Sequence, residues 1–174
     1  MKYALLADIH ANLEALDVVL RDQKAQGCTH MACLGDIVCY GADPKECLDI
    51  IRALGMPTVK GNHDEYAATD RHLEGFNPGV MKSIEWTRNQ LTDDDRKWLR
   101  KLPFVERLDG FTIVHAVLDR PKDWGYAFDK FAAAASFNRQ ETPICFFGHT
   151  HVPVAFIKDS IVRGGTYSKF KVVA

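Results

Sequence analysis

The chain has 174 residues, of which 47% are hydrophobic, and its formal net charge is −1. This length and composition are sufficient for one compact domain with its own core, so we expect a single domain over residues 1–174. The near-neutral charge argues against a broad basic surface for nucleic acid or anionic membrane, and no apolar run reaches the roughly 18 residues that a membrane-spanning helix needs.

The first third of the chain predicts alternating strands and helices. Three short apolar runs are typical of buried strands: 3–7, 31–34 and 57–60. Asn12 can cap a helix that ends near Gly27. Asp43, as the cap before Pro44, can begin a second helix that ends at Gly55. This β-α-β-α-β order predicts neighbouring parallel strands covered by helices.

The remainder of the chain predicts broken helices followed by hairpins. Residues 65–88 look helical with interruptions, and Thr92 can cap a further helix with an acidic first turn. The later predicted elements are a hairpin of 104–108 with 111–115, a helix over 127–137, a strand over 144–147 and a hairpin of 154–157 with 161–163. We therefore expect an α/β fold (α+β in some schemes) with two packed sheets and outer helices.

A short polar motif follows each of five apolar runs. The motifs are Asp8-Ile9-His10, Gly35-Asp36, Gly61-Asn62-His63-Asp64, His115 and Gly148-His149-Thr150-His151. In layered sheet proteins, ligands bind outside the carboxyl ends of the strands, so these motifs should meet at one rim. Imidazole, carboxylate and amide groups are ligands for divalent metals. The motifs predict a metal site, most simply for two ions.

Individual motifs suggest specific arrangements. Asp8 and His10, two apart on an extended strand end, would point the same way and could bind one ion together. Asp36 is the natural bridge between two ions, because it follows a central strand with a glycine in front. Glycine precedes a ligand where the backbone must approach the site closely or take a positive φ, as at Gly35, Gly61 and Gly148.

At these residues the sequence resembles the calcineurin-like metallophosphoesterases over nearly its whole length. The family pattern D-x-H, G-D, G-N-H-[DE], H and G-H-x-H is present in full, and the flanks are most similar to the small prokaryotic phosphodiesterase branch. The resemblance implies a four-layer αββα sandwich of two mixed β-sheets flanked by helices. Relatives usually continue through further strands, so we expect a domain shortened at its C-terminus, with a sheet edge that could pair with a second copy.

The resemblance also implies roles for the motif residues. The first metal would be held by Asp8, His10, Asp36 and His151, and the second by Asp36, Asn62, His115 and His149. His63 would not ligate, but would act with the bridging Asp36 in catalysis, as the acid for the leaving group or a stabiliser of developing charge. Asn12 and Asp64 are expected to fix neighbouring groups by hydrogen bonds.

This ligand set implies in-line hydrolysis of a phosphodiester or phosphomonoester by a hydroxide that bridges two metals. Mixed ligands without a thiolate suit Mn, Fe, Zn, Co or Ni better than Ca, and we expect Mn²⁺ first. The expected partner is a small phosphorylated substrate, with nucleotides included. Homo-oligomerisation remains open.

The loop after His115 allows two interpretations. Arg120, Trp124 and Tyr126 could form a wall that contacts a phosphorylated substrate. Trp124 and Tyr126 could equally pack beneath the loop.

Other functions remain as alternatives. Within the same class these are a diadenosine-polyphosphate hydrolase or a protein Ser/Thr phosphatase. A scaffold or binding protein that keeps the fold without turnover is the alternative from another class; the complete ligand set and His63 argue against it. A nuclease is disfavoured because the charge is near neutral and no DNA-binding domain is added.

The cysteines and the start of the chain indicate a cytoplasmic protein. The five cysteines are odd in number and form no C-x-x-C pair, so we expect all of them to be packing residues. Residues 1–3 lead directly into a predicted strand, which is not the pattern of a signal peptide.

Overall fold

The structure is a computed structural model that describes residues 1–166; residues 167–174 of the predicted domain lie outside the described part. The helices are α1 Leu13–Ala25, α2 Pro44–Leu54, α3 Asn62–Ala68, α4 Pro78–Gln90, α5 Asp93–Lys101 and α6 Lys130–Phe137. The strands are β1 Tyr3–Leu6, β2 His30–Cys33, β3 Val105–Leu108, β4 Phe111–Val114, β5 Ile144–Phe146, β6 Val154–Lys158 and β7 Val162–Thr166.

The strands form three short sheets. In the first sheet, β1 and β2 pair in parallel. In the second sheet, β4 pairs antiparallel with β3 and parallel with β5. Strands β6 and β7 form a separate antiparallel hairpin. The third predicted strand, 57–60, lies beside β2 as expected, but only one bridge forms, between Cys33 and Thr58. The prediction of a full strand there is wrong. The backbone N–H of Lys60 donates to the Pro103 carbonyl at 2.8 Å, and α3 begins two residues later.

The two faces of the β1–β2 sheet pack against different partners, which produces the layers. One face, with Leu6 and Cys33, joins the apolar core formed with α1 to α5. Ala32 and Leu34 belong to the other face, which packs against Phe111 and Ile113 of the second sheet. Helix α6 lies on the far side of the second sheet, beside the β6–β7 hairpin. The predicted helix-sheet-sheet-helix order is therefore confirmed.

Local capping explains several of the helix boundaries. The Asn12 side chain accepts from the Ala15 N–H at 3.0 Å, and Thr92 and Asp95 form a capping box at the start of α5. Gly55 ends α2 with a left-handed φ of 61°. Asp43 precedes α2 as expected, but its side chain makes no capping hydrogen bond. Helix α6 begins at Lys130, later than the predicted 127, because Asp129 caps it.

Candidate metal centre

The five polar motifs meet at one edge of the two packed sheets. Asp8 and Asp36 lie in the loops after β1 and β2, and Asn62 and His63 open α3. The remaining histidines follow strands of the second sheet: His115 follows β4, and His149 and His151 follow β5. The centre is thus assembled from both sheets.

The prediction that Asp8 and His10 lie on an extended strand end is wrong. Strand β1 ends at Leu6, and both residues have a left-handed backbone, with φ of 53° and 49°. Non-glycine residues rarely adopt this conformation, and they keep it where the surrounding structure compensates for the strain. Here the His10 N–H donates to the Asp36 carbonyl at 2.9 Å. The G-D loop after β2 therefore holds the D-x-H loop in shape.

Three residues form the first group of potential ligands: Asp8, His10 and His151. The Nε2 atoms of His10 and His151 lie 3.1 Å apart, and the Nε2 of His151 lies 3.4 Å from the Oδ1 of Asp8. Asp36 also lies close to this group, with its Oδ2 3.7 Å from the Nε2 of His10. Four donor atoms therefore converge on one small volume.

The second group contains Asp36, His115 and His149, with Asn62 beside them. The Nε2 of His115 lies 3.2 Å from the Oδ2 of Asp36 and 3.1 Å from the Oδ1 of Asn62. The Oδ2 atom of Asp36 thus approaches histidines of both groups. All the predicted ligands are brought together, and Asp36 lies between the groups.

Backbone carbonyls orient three of the imidazoles. The Nδ1 of His115 lies 2.8 Å from the Leu34 carbonyl, and the Nδ1 of His10 lies 3.4 Å from the Val38 carbonyl. The Nε2 of His149 lies 3.0 Å from the Trp124 carbonyl. A hydrogen bond at one ring nitrogen sets the tautomer and presents the other nitrogen as a ligand. These contacts direct the free nitrogens into the centre.

Asp64 ties two of the motif loops together. Its buried carboxylate accepts backbone N–H bonds from Asp36 at 2.8 Å, Ile37 at 2.9 Å, Val38 at 3.3 Å and Gly61 at 3.0 Å. Burial raises the pKa of Asp64 to about 6, and the nearby Asp36 charge acts in the same direction. Asn12, the other residue expected to support the site, caps α1 through its side chain.

The electrostatics of the centre are dominated by Asp36. Burial opposes its ionisation, but His115 outweighs that effect, with help from His63 and His10, so the pKa lies well below its usual range. Burial lowers the pKa of His115, but the Asp36 charge and hydrogen bond prevail and raise it to about 9. This compact set of imidazole, carboxylate and amide donors fits divalent transition metals.

His63 lies beside the predicted ligands, and with His10 and Asp36 it forms a further group of side chains that could hold a metal ion. Its Nδ1 is buried without a hydrogen-bond partner in residues 1–166. Its backbone N–H donates to the Oδ1 of Asp36 at 2.9 Å, and its ring lies 5.0 Å from that of His10. Burial lowers the pKa of His63 to about 4. The ring lines a cavity of about 250 Å³ at the centre, shared with Asp36, Asn62 and His149.

The residues predicted as a substrate wall separate in the structure. Tyr126 lines the cavity and stacks on His149 with a centroid distance of 4.1 Å. Trp124 supplies its carbonyl to His149, while its ring packs near Phe104 at 5.7 Å. Arg120 is exposed and pairs with Asp119 and Asp123, away from the residues that line the cavity.

Two residues that line the cavity, Tyr40 and Thr150, have no role in the predicted site, and Tyr40 also lies outside the five motifs. Tyr40 lines the cavity and lies beside both His10 and His63. Tyr40 belongs to the flank of the G-D motif, four residues after Asp36 and directly before Gly41, which contributes to the family resemblance without assigning Tyr40 a role. A single aromatic residue in a loop forms no periodic pattern, so this position gave no indication of a role.

Comparison with known proteins identifies the family. Residues 1–166 match the calcineurin-like phosphoesterase superfamily domain. The chain is 38% identical to an uncharacterized protein of Methanocaldococcus jannaschii over 154 residues, which cover 86% of this chain and 62% of that protein. The chain belongs to the calcineurin-like phosphoesterase superfamily, which confirms the resemblance seen in the five motifs.

Solved structures support the same assignment. A metallophosphoesterase from Sphaerobacter thermophilus has a TM-score of 0.77 and 38% identity, with 90% of this chain and 63% of that chain covered. A hypothetical protein from Pyrococcus horikoshii has a TM-score of 0.73 and 20% identity, with 87% and 70% covered, and shows the shared fold. The chain thus spans just over three-fifths of the length of its 38%-identical relatives.

No helix within residues 1–166 combines the length and apolarity needed to cross a bilayer.

Proposed function

We propose that this protein is a metal-dependent phosphoesterase that uses two divalent ions to hydrolyse a small phosphodiester or phosphomonoester. Membership of the calcineurin-like superfamily supports the class of reaction. The position of Asp36 carries the proposal of two ions, because its Oδ2 lies 3.7 Å from His10 in one group and 3.2 Å from His115 in the other. A carboxylate between two ligand groups suits a pair of ions a few ångströms apart.

The ligand groups divide naturally between two ions. Asp8, His10 and His151 would hold one ion, Asn62, His115 and His149 would hold the other, and Asp36 would be common to both. Such ions supply positive charge for the phosphoryl oxygens and make water more acidic. Mn²⁺ is the proposed metal, with Fe, Zn, Ni and Co also matching these ligands.

We assign to His63 the role of contacting the leaving group of the substrate. Its ring faces the cavity, and its buried Nδ1 has no partner within residues 1–166. The backbone bond to Asp36 fixes the start of α3 and with it the imidazole. Because burial lowers its pKa to about 4, the imidazole is neutral near pH 7, and an N–H held there can donate a hydrogen bond to the leaving oxygen and stabilise the charge that develops as the P–O bond breaks.

The test is hydrolysis of p-nitrophenyl phosphate and bis-p-nitrophenyl phosphate by metal-stripped protein, with Mn²⁺, Ni²⁺, Zn²⁺ or Mg²⁺ added back. We expect metal-dependent turnover of at least one ester. Asp36→Asn should abolish turnover and weaken metal binding, because it removes the shared carboxylate. His63→Ala should lower kcat about 10²- to 10³-fold, the scale of removing one hydrogen-bond donor to a developing charge, while metal binding persists.

Metal binding measured by calorimetry separates the outcomes. A folded protein that binds neither metal nor ester would contradict the proposal and favour a scaffold with this fold. Full activity in His63→Ala would remove that residue from the mechanism and leave the metal centre in place.

A further inference from the structure

Tyr40 is held beside the metal centre by an unusual backbone. Its φ is 68°, and that of the preceding Cys39 is 72°. The Tyr40 N–H donates to the Ser83 hydroxyl at 2.6 Å, and the Gly41 N–H donates to the His10 carbonyl at 2.9 Å. Bulky residues with left-handed φ occur mainly where surrounding structure holds them, often at functional sites. The loop therefore places this ring through tertiary contacts, against its local preference.

The ring of Tyr40 has an unused aromatic surface. Its ring centroid lies 4.7 Å from that of His10 and 4.5 Å from that of His63, with interplanar angles of 61° and 53°. The first is an edge contact and the second a tilted one, and no ring of residues 1–166 stacks in parallel on Tyr40. The residue is 51% exposed although it lines the cavity. One face is therefore available to a ligand.

Tyr126, the other aromatic residue of the cavity, offers a different surface. Its ring stacks on His149 at 4.1 Å with an interplanar angle of 18°, and on Phe128 at 5.2 Å with an angle of 7°. Tyr126, although 54% exposed, thus already stacks in parallel on protein rings, whereas no ring of residues 1–166 stacks in parallel on Tyr40. Of the two cavity tyrosines, Tyr40 is the one without a parallel protein partner.

We propose that Tyr40 binds a planar ring in the leaving group, so that the preferred substrates are aryl or nucleobase-bearing phosphoesters rather than aliphatic ones. The inference rests on the proposed function, since it identifies the leaving group of the same site. His63, assigned to the leaving oxygen, is in contact with Tyr40. A ring attached near that oxygen would lie against Tyr40, where offset stacking stabilises it and an alkyl group gains less.

Binding of phenylphosphonate and methylphosphonate to the Mn²⁺-loaded protein tests this inference by calorimetry. The two probes share a head group that is not hydrolysed and differ only in the planar ring. We expect wild type to bind phenylphosphonate about tenfold more tightly, the scale of one aromatic stacking contact. Tyr40→Gly should remove this preference and leave methylphosphonate affinity within about twofold. Glycine accepts the positive φ, so this variant is expected to fold.

Two further variants sharpen the result. Tyr40→Phe keeps the ring and should keep the preference, whereas Phe131→Leu removes an exposed aromatic residue of α6 outside the cavity and should change nothing. Equal affinity of both probes for wild type, or a preference that survives in Tyr40→Gly, would overturn the inference. Equal loss of both probes in Tyr40→Gly would also overturn it, because Tyr40 would then support the site rather than bind the ring.

Turnover of the nitrophenyl esters is measured on the same preparations, which keeps the two proposals separate. A Tyr40-dependent phosphonate preference without any metal-dependent turnover would contradict the proposed function and retain the ring-binding site. Metal-dependent turnover without a preference for phenylphosphonate would support the proposed function and contradict the ring-binding site.

Discussion

At the scale of single residues, the metal centre depends on a glycine, Gly148, at which two loops approach each other too closely for a side chain. A Cβ at Gly148 would lie 2.6 Å from the Oδ2 of Asp8 and 3.1 Å from the Cβ of Ala7. The Asp8 carboxylate also accepts the His149 N–H at 3.1 Å. The glycine therefore allows the loop after β5 to dock directly on the loop after β1.

We expect Gly148→Ala to displace Asp8 and to weaken metal binding by about 10- to 100-fold, the scale seen when groups that orient metal ligands are changed. Overpacking should also destabilise the protein by roughly 1–3 kcal/mol. Titration calorimetry with Mn²⁺ and urea unfolding measure the two effects. Gly79→Ala is the matched control, because its Cβ would meet only the Asn77 Oδ1, at 3.3 Å. Wild-type metal affinity in Gly148→Ala would contradict the argument.

At the scale of secondary-structure elements, the start of α5 is fixed by one buried carboxylate. Asp95 accepts from the Thr92 hydroxyl at 2.7 Å and backbone N–H at 3.0 Å, and from Arg52 at 2.8 Å. Burial raises the pKa of Asp95, but the Thr92 hydrogen bonds and the Lys45 and Arg52 charges outweigh it, so the pKa lies below its ordinary value. Stability from this group is present above the unfolded pKa near 3.9 and is lost as pH falls through the folded value.

Asp95→Ala should therefore lower the free energy of unfolding at pH 7 by about 1–3 kcal/mol, through the lost cap and the unpaired buried donors. The part of this difference due to ionisation should be smaller at pH 3 than at pH 7, because pH 3 lies below the unfolded pKa near 3.9 and closer to the lowered folded pKa. Urea unfolding at both pH values is the measurement. Asp94→Ala is the control from the same helical turn: its side chain is 74% exposed, against 2% for Asp95, and it should change stability little. Equal effects of the two substitutions would contradict the assignment.

The sequence predicted those features of the elements that have a local cause. The ligand motifs were identifiable because each follows an apolar run, and the Thr92 cap because its acidic turn is local. The left-handed backbone at Asp8 and His10 could not be predicted from the sequence, because it depends on hydrogen bonds to a loop 26 or more residues away. One of these is the bond from the His10 N–H to the Asp36 carbonyl. The segment 57–60 shows the same limit: its apolar character was local, but its pairing was reduced to one bridge by the turn into α3.

At the scale of the whole molecule, the metal centre joins the two sheets. Asp8 and Asp36 follow strands of the first sheet, whereas His115 and His149 follow strands of the second. Beneath the centre, the sheets share a small apolar contact of Ala32, Leu34, Val59, Phe111 and Ile113. Across the interface, His115 is 3.2 Å from the Asp36 carboxylate and 2.8 Å from the Leu34 carbonyl. Bound ions would therefore link the sheets as well as serve the reaction.

We expect metal binding to stabilise the entire fold, because ligands drawn from both sheets exist as a site only in the folded chain. At a free Mn²⁺ concentration 100 times Kd, one site adds about 2.7 kcal/mol. For a chain of this size, that corresponds to a rise in Tm of roughly 5–11 °C. Thermal unfolding followed by circular dichroism, with chelator or with Mn²⁺, measures the shift. Asp36→Asn should remove most of it, whereas Arg107→Ala, at an exposed ion pair with Glu141, should leave it intact. An unchanged Tm in wild type that demonstrably binds Mn²⁺ would mean that the unfolded chain binds the ions as tightly, which would contradict a site that exists only in the folded chain.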